Sequence, residues 1–205
     1  VEVPVRLFGR DGPNTPVVML HGIRSHSGWF TQSAGFIASL GHPVCGMDRR
    51  GSGLSRERRG HADSFRRFAA DIDAVVRHVT AGGAAPRAHI LGHCFGAIPA
   101  GIFACLHPDR VASLILPTPG IHTHTTLPLW TRAHIAVLRF SDSTRPIPLP
   151  LEAEAMADLE AHRRFIREDP LSLNEVTAGF CFEVFRARRF LGRNVGSLAV
   201  PVFMG

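Results

Sequence analysis

Unbroken apolar runs alternate with segments of helical period through the first half of this 205-residue chain. Pro16 to Gly22 (PVVMLHG), Pro43 to Asp48 (PVCGMD), Arg87 to His93 (RAHILGH) and Arg110 to Pro117 (RVASLILP) lack polar alternation and end in turn-forming residues. That pattern predicts strands buried on both faces. Ser64 to Val79 has a different period: Phe65, Phe68, Ala69, Ile72, Val75, Val76 and Val79 fall on one helical face, with Gly82 and Gly83 as the stop. A second helix is expected from Ala97 to Leu106. Strand, helix, strand, helix predicts an α/β domain with a mostly parallel sheet and helices on both faces. The first residues, VEVPVRLFG, and the last, Ser197 to Gly205, also read as strand, so both ends look cut.

After Pro117 the pattern changes to proline-rich loops followed by an amphipathic helix. The expected organisation is therefore one core, 1–117 and 191–205, interrupted by a helical cap at 118–190. No apolar run is long enough to cross a bilayer. The net charge of +6 comes from 23 arginines with no lysine. These are dispersed, and their densest group, Arg49 to Arg59, is broken by Glu57. No recognition motif accompanies them, which argues against a nucleic-acid partner. Cys45, Cys94, Cys105 and Cys181 form no CxxC pair, so a disulfide framework is not expected and a reducing, cytoplasmic compartment is.

Three of the predicted strands carry a motif at the carboxyl end, where open α/β sheets bind ligands. HGIRSHSGWF spans 21–30, DRRGSGLS spans 48–55 and ILGHCFGA spans 90–97. In the last, Gly92 and Gly96 flank Cys94 at the spacing of a nucleophile elbow, a strained strand-to-helix turn that needs glycine where backbones touch. A thiol at a helix N-terminus is a strong nucleophile. Backbone N–H groups of Ile23 and Phe95 would then supply a two-donor oxyanion hole. His122 and His124 form a pair with no evident third ligand, and no metal is expected.

In this order the three segments resemble the α/β-hydrolase family over nearly the whole chain. The likeness is strongest to the lysophospholipase and monoglyceride-lipase-like branch. Most members carry serine at the elbow; cysteine there resembles dienelactone hydrolases, polyhydroxyalkanoate synthases and some thioesterase domains. The resemblance implies hydrolysis of a carboxylic ester or thioester of a small molecule through an acyl-Cys94 intermediate, without a cofactor. It makes Asp48 a structural residue of its loop. It also places the catalytic acid after the penultimate strand and the histidine after the last one. Ala199 to Gly205 resembles that penultimate strand, so both are expected beyond Gly205.

None of the twelve histidines in the chain reads as a substitute base. His93 should point away from Cys94, His21 and His26 belong to the oxyanion segment, and Asp142 and Asp169 read as solvated carboxylates. Two other activities stay open. A thioester intermediate also reacts with alcohols and amines, which suits an acyltransferase or cyclising thioesterase, and an inactive binding module is the third reading. Ile121, Leu127, Leu129, Trp130, Ile135, Val137, Leu138 and Phe140 would line an acyl chain or simply pack the cap.

Overall fold

The computed structural model describes residues 2–55, 58–81, 86–121 and 129–205. Glu57, Gly82, Gly83, His122, His124 and Leu127 lie outside them. Six strands form one sheet in the order β1 (Val5–Phe8), β3 (Val44–Met47), β2 (Val17–Leu20), β4 (Ala88–Gly92), β5 (Val111–Leu116) and β8 (Val202–Met204). Only β1 is antiparallel to its neighbour; the other pairs are parallel. All four residues of β2 and of β3 are buried, as their unbroken apolar runs require.

Alternate side chains of the strands feed two layers. Val18, Leu20, Cys45, Met47 and Ile90 pack under α2 (Phe65–Val79), α3 (Ala97–Leu106) and α6 (Ala178–Asn194). Val17, Met19 and Val44 pack on the opposite face around Ala34 of α1 (Thr31–Ser39). The chain leaves β2 toward β3 on one side and returns to β4 on the other, so strand order reverses beside β2. The carboxyl ends of β2 and β4 meet at that reversal, where open parallel sheets leave a crevice.

The segment between β5 and β8 contains α4 (Leu129–Ser141), β6 (Pro146–Pro148), α5 (Glu160–Glu168), β7 (Glu175–Thr177) and α6. β6 and β7 form an antiparallel ribbon that the proline-rich sequence did not announce. Residue 190 falls inside α6, whose Phe180, Ala187 and Leu191 are core residues. Gly101 of α3 lets α6 come close: a Cβ there would lie 3.0 Å from Leu191.

A buried charge ties α6 to α2. Glu183 is fully buried, its Oε2 accepting the Phe65 N–H at 2.9 Å and its Oε1 accepting from Arg186 at 2.8 Å. The carboxylate thus caps an N–H that the start of α2 leaves without an intrahelical acceptor. Glu183→Ala is expected to destabilise the fold by about 2 kcal/mol, because a buried donor loses a charged acceptor. Urea-unfolding midpoints of the two proteins would measure it, and an unchanged midpoint would refute this role.

Candidate active site

β4 runs straight into the turn that carries the thiol. His93 is extended, Cys94 adopts φ +51°, and α3 begins at Ala97. Positive φ is rare for a residue with a side chain and marks a turn held by its surroundings. Here the surroundings are glycines. A Cβ on Gly92 would lie 2.6 Å from the Gly96 carbonyl oxygen, and one on Gly96 would lie 2.4 Å from that of Leu20. The Gly120 N–H closes the turn from the far side by donating to the Cys94 carbonyl at 2.9 Å.

The turn after β2 abuts this one. A Cβ on Gly22 would lie 3.5 Å from Cβ of Cys94. Its own shape comes from His21, whose Nδ1 donates to the Gly22 carbonyl at 2.7 Å while Nε2 accepts the Arg49 N–H at 3.0 Å. The imidazole is therefore neutral and fixed in one tautomer. Burial, helped by the Arg49 cation, pushes it down to about 3, against the Gly22 hydrogen bond and the Asp48 charge. Among the described residues the Ile23 N–H has no acceptor. The Phe95 N–H sits in the first turn before α3, where a helix leaves its amides unpaired.

That neutral histidine makes the fold acid-sensitive. An unfolded chain binds a proton on His21 below about pH 6.5, whereas the folded chain does not until about 3. Stability should therefore fall as pH drops through this window, by about 1.4 kcal/mol per pH unit from this group. Urea midpoints measured between about pH 4 and 6.5 should show the loss, and His21→Asn should flatten it. Equal slopes in the two proteins would refute the assignment.

Asp48, fully buried, holds the neighbouring loop. It accepts from the Ser27 N–H (2.8 Å), Ser27 Oγ (2.6 Å), the Leu54 N–H (2.9 Å) and Arg6 (3.4 Å). Burial would push its carboxyl up, but the hydrogen bonds from Leu54 and Ser27 outweigh it and hold the group below the usual range. Arg50 grips Asp71 of α2 in a buried bidentate pair at 2.7 and 2.6 Å.

Several of the described histidines have partners of their own. His93 packs its ring on Phe30, with centroids 5.1 Å apart, while its buried Nδ1 has no hydrogen-bond partner among the described residues. His61 bonds Thr177 and Asp63, His89 bonds Ser113, and His42 bonds the Thr15 carbonyl. His26 accepts the Gly28 N–H at Nδ1 and bonds Asp169 through Nε2 at 2.9 Å, so neither nitrogen is spare. Asp169 is the one carboxylate whose surroundings differ from expectation. Its side chain is only 6% exposed, because Trp29 Nε1 also donates to it. Asp142 is exposed and serves its own turn through Thr144.

His26 and Trp29 belong to a larger clamp. Arg24 donates to Ser172 at 3.2 Å and to the Leu151 carbonyl, and its own carbonyl accepts the Leu173 N–H at 2.9 Å. The loop carrying Ile23 is thus bound to residues 151–173. Sequence reasoning assigned nothing to Arg24 or Trp29, and no local signal joins residues up to 149 positions apart.

The four cysteines are free thiols. Burial pushes Cys45 up to about 12 and Cys181 up to about 11, and it raises Cys105 as well. Cys94 alone stands at a strand-to-helix turn. Among the described residues no group of three or more metal-ligating side chains exists.

The family model described as serine aminopeptidase S33 (Hydrolase_4) matches residues 11–205. The chain belongs to this hydrolase family. Its sheet, with the three sequence motifs at the carboxyl ends of β2, β3 and β4, has the α/β-hydrolase fold. A monkeypox virus monoglyceride lipase homolog is 23% identical over 196 residues, covering 94% of this chain and 69% of that protein. The monoacylglycerol lipase of Paleococcus ferrophilus superposes with a TM-score of 0.85 at 22% identity, over all of this chain and 77% of its own. A monoglyceride lipase variant from Saccharomyces cerevisiae gives 0.79 at 18% identity, over 98% of this chain and 72% of its own.

Proposed function

We propose that this Hydrolase_4 chain hydrolyses a carboxylic ester or thioester through an acyl-Cys94 intermediate. The observation that carries the reading is Cys94 at φ +51°, raised at the head of α3 with the Gly22 turn against it. The thiolate attacks the carbonyl carbon, and the oxygen takes the electron pair in front of the Ile23 and Phe95 N–H groups. The tetrahedral adduct collapses, expelling the alcohol or thiol, which takes up a proton. Water then attacks the thioester carbonyl, releases the acid and restores the thiol. In this reading proton transfer falls to the Asp–His pair that the family resemblance implies beyond Gly205.

Residues 118–190 form the cap in this reading, over a core of 1–117 and 191–205. The relatives named monoglyceride lipases make a glycerol monoester the first substrate to try. The apolar stripe of α4 divides: Ile135 is buried, while Leu129, Trp130, Val137 and Phe140 are exposed. Leu127 lies outside the described residues. No helix of the described residues is long and apolar enough to cross a membrane.

The test is to quench the full-length protein during turnover of an acyl ester or thioester and weigh the peptide spanning Cys94. Added mass equal to the acyl group supports the intermediate, and turnover without an adduct would remove it. Repeating the reaction with an alcohol acceptor separates the acyltransferase alternative: release of free acid alone excludes transfer.

A further inference from the structure

Arg49 takes no part in the chemistry above, yet its guanidinium is buried against the turns that frame Cys94. The residue is 6% exposed, and Nη2 donates to the Ile23 carbonyl at 3.0 Å. Nε and Nη1 have no partner among the described residues. Three phenyl faces surround the cation instead, with Cζ 5.1 Å from the Phe180 centroid, 5.2 Å from Phe95 and 6.0 Å from Phe68. Arg49 also borders a cavity of about 20 Å³ with His21 and Asp71, room for about one water. An anion there would face the negative ring quadrupoles that hold the cation, so the cavity does not point to an anionic ligand.

The contacts converge on one part of the fold. The Gly22–Ile23 peptide is trans, so its C=O and its N–H point in opposite directions. The C=O is held by His21, whose tautomer is set by the Arg49 N–H. The next C=O, that of Ile23, is held by the Arg49 guanidinium. The Gly22–Ile23 plane is thus held through the Arg49 backbone by way of His21, and the Ile23–Arg24 plane directly by the Arg49 side chain. Its side chain also lies on the ring of Phe95, the residue after the thiol.

We propose that Arg49 is a positioning residue for the oxyanion hole, aligning the Ile23 and Phe95 N–H groups on the substrate oxygen as charge develops there. The inference rests on the acyl-Cys94 reading. It differs in sign from a purely structural role. A buried cation with two donors that find no protein partner strains the fold, and an apolar side chain of similar length packed between the rings relieves that strain. Misalignment by about 1 Å, in contrast, slows a reaction by roughly 100-fold.

Arg49→Met and Arg49→Lys in the full-length protein decide it through three readouts. The first is the rate of Cys94 acylation by p-nitrophenyl acetate, which forms an oxyanion. The second is alkylation of Cys94 by iodoacetamide, in which the thiolate displaces iodide at a saturated carbon and no oxyanion forms. The third is the melting temperature. For Arg49→Met we expect acylation to fall roughly 10–100-fold, alkylation to stay within about twofold, and the melting temperature to hold or rise. Arg49→Lys, which keeps a charged donor, should recover part of the acylation rate. Unchanged acylation, a parallel fall in acylation and alkylation, or a protein that no longer folds would each overturn the inference. A wild type that is alkylated but never acylated would overturn the acyl-Cys94 reading itself, whatever Arg49 does.

Discussion

Cys94→Ala should lower ester or thioester turnover by about 10⁴-fold or more, as removal of an essential nucleophile does elsewhere. The other three thiols cannot stand in. Cys45 lies within the sheet with its thiol pushed up to about 12, burial lifts Cys181 to about 11, and Cys105 is raised too. The fold should survive the change. The neighbouring turns touch the backbone and Cβ of residue 94, which alanine keeps. Initial rates of the two full-length proteins, with melting curves as a control, give the result. If the alanine variant keeps more than about a tenth of the activity, catalysis does not pass through this thiol.

Gly96→Ala should be the most damaging single methyl group in this part of the fold. Its Cβ would arrive 2.4 Å from the Leu20 carbonyl oxygen and 2.9 Å from that of His21. Both obstacles are backbone at the end of β2, a fully buried strand hydrogen-bonded on either side, so neither can swing away as a side chain would. We expect a loss of roughly 3 kcal/mol or more, which for a domain of this size is about 10 °C in melting temperature. The same change at Gly35 of α1, where a Cβ meets nothing within 4 Å, should be neutral or stabilising and serves as the control. Equal melting temperatures for wild type and Gly96→Ala would mean that β2 and the Cys94 turn are not pressed together as described.

Much of this arrangement was legible because parallel strands are read by composition. Val17–Leu20 and Val44–Met47 face helices on both sides, so they are apolar without alternation, and their motifs follow directly in sequence. The face of α2 was equally plain, since Phe65, Phe68, Ile72 and Val76 all point into one layer. α1 was not legible. Only Ala34 of its nine residues is buried and Phe36 is exposed, so its period carries little hydrophobic contrast. β6 hid behind its two prolines, which a two-stranded ribbon tolerates at positions that donate nothing.

The site divides in the same way. Cys94 and its glycines announce themselves within five residues, because the turn's steric needs are local. Arg49 and Asp169 do not. Arg49 is one arginine in a basic run until the Phe68, Phe95 and Phe180 rings close around it. Asp169 reads as a solvated carboxylate until His26 and Trp29, at least 140 positions away, cover it. Partners chosen by tertiary folding leave no periodic trace in the chain.

The same separation governs when the loop after β2 can finish folding during synthesis. His26, Trp29 and Arg24 emerge long before Asp169, Ser172 and Leu173, with up to 149 positions between partners. At roughly 5–20 residues per second the ribosome needs roughly 7–30 s to deliver them. Late in that interval the nascent chain holds β1 to β5 with an indole, an imidazole and a guanidinium still unclaimed. The loop that carries Ile23 would therefore be among the last parts of the amino-terminal half to settle, and the nascent chain would be most open to chaperones there.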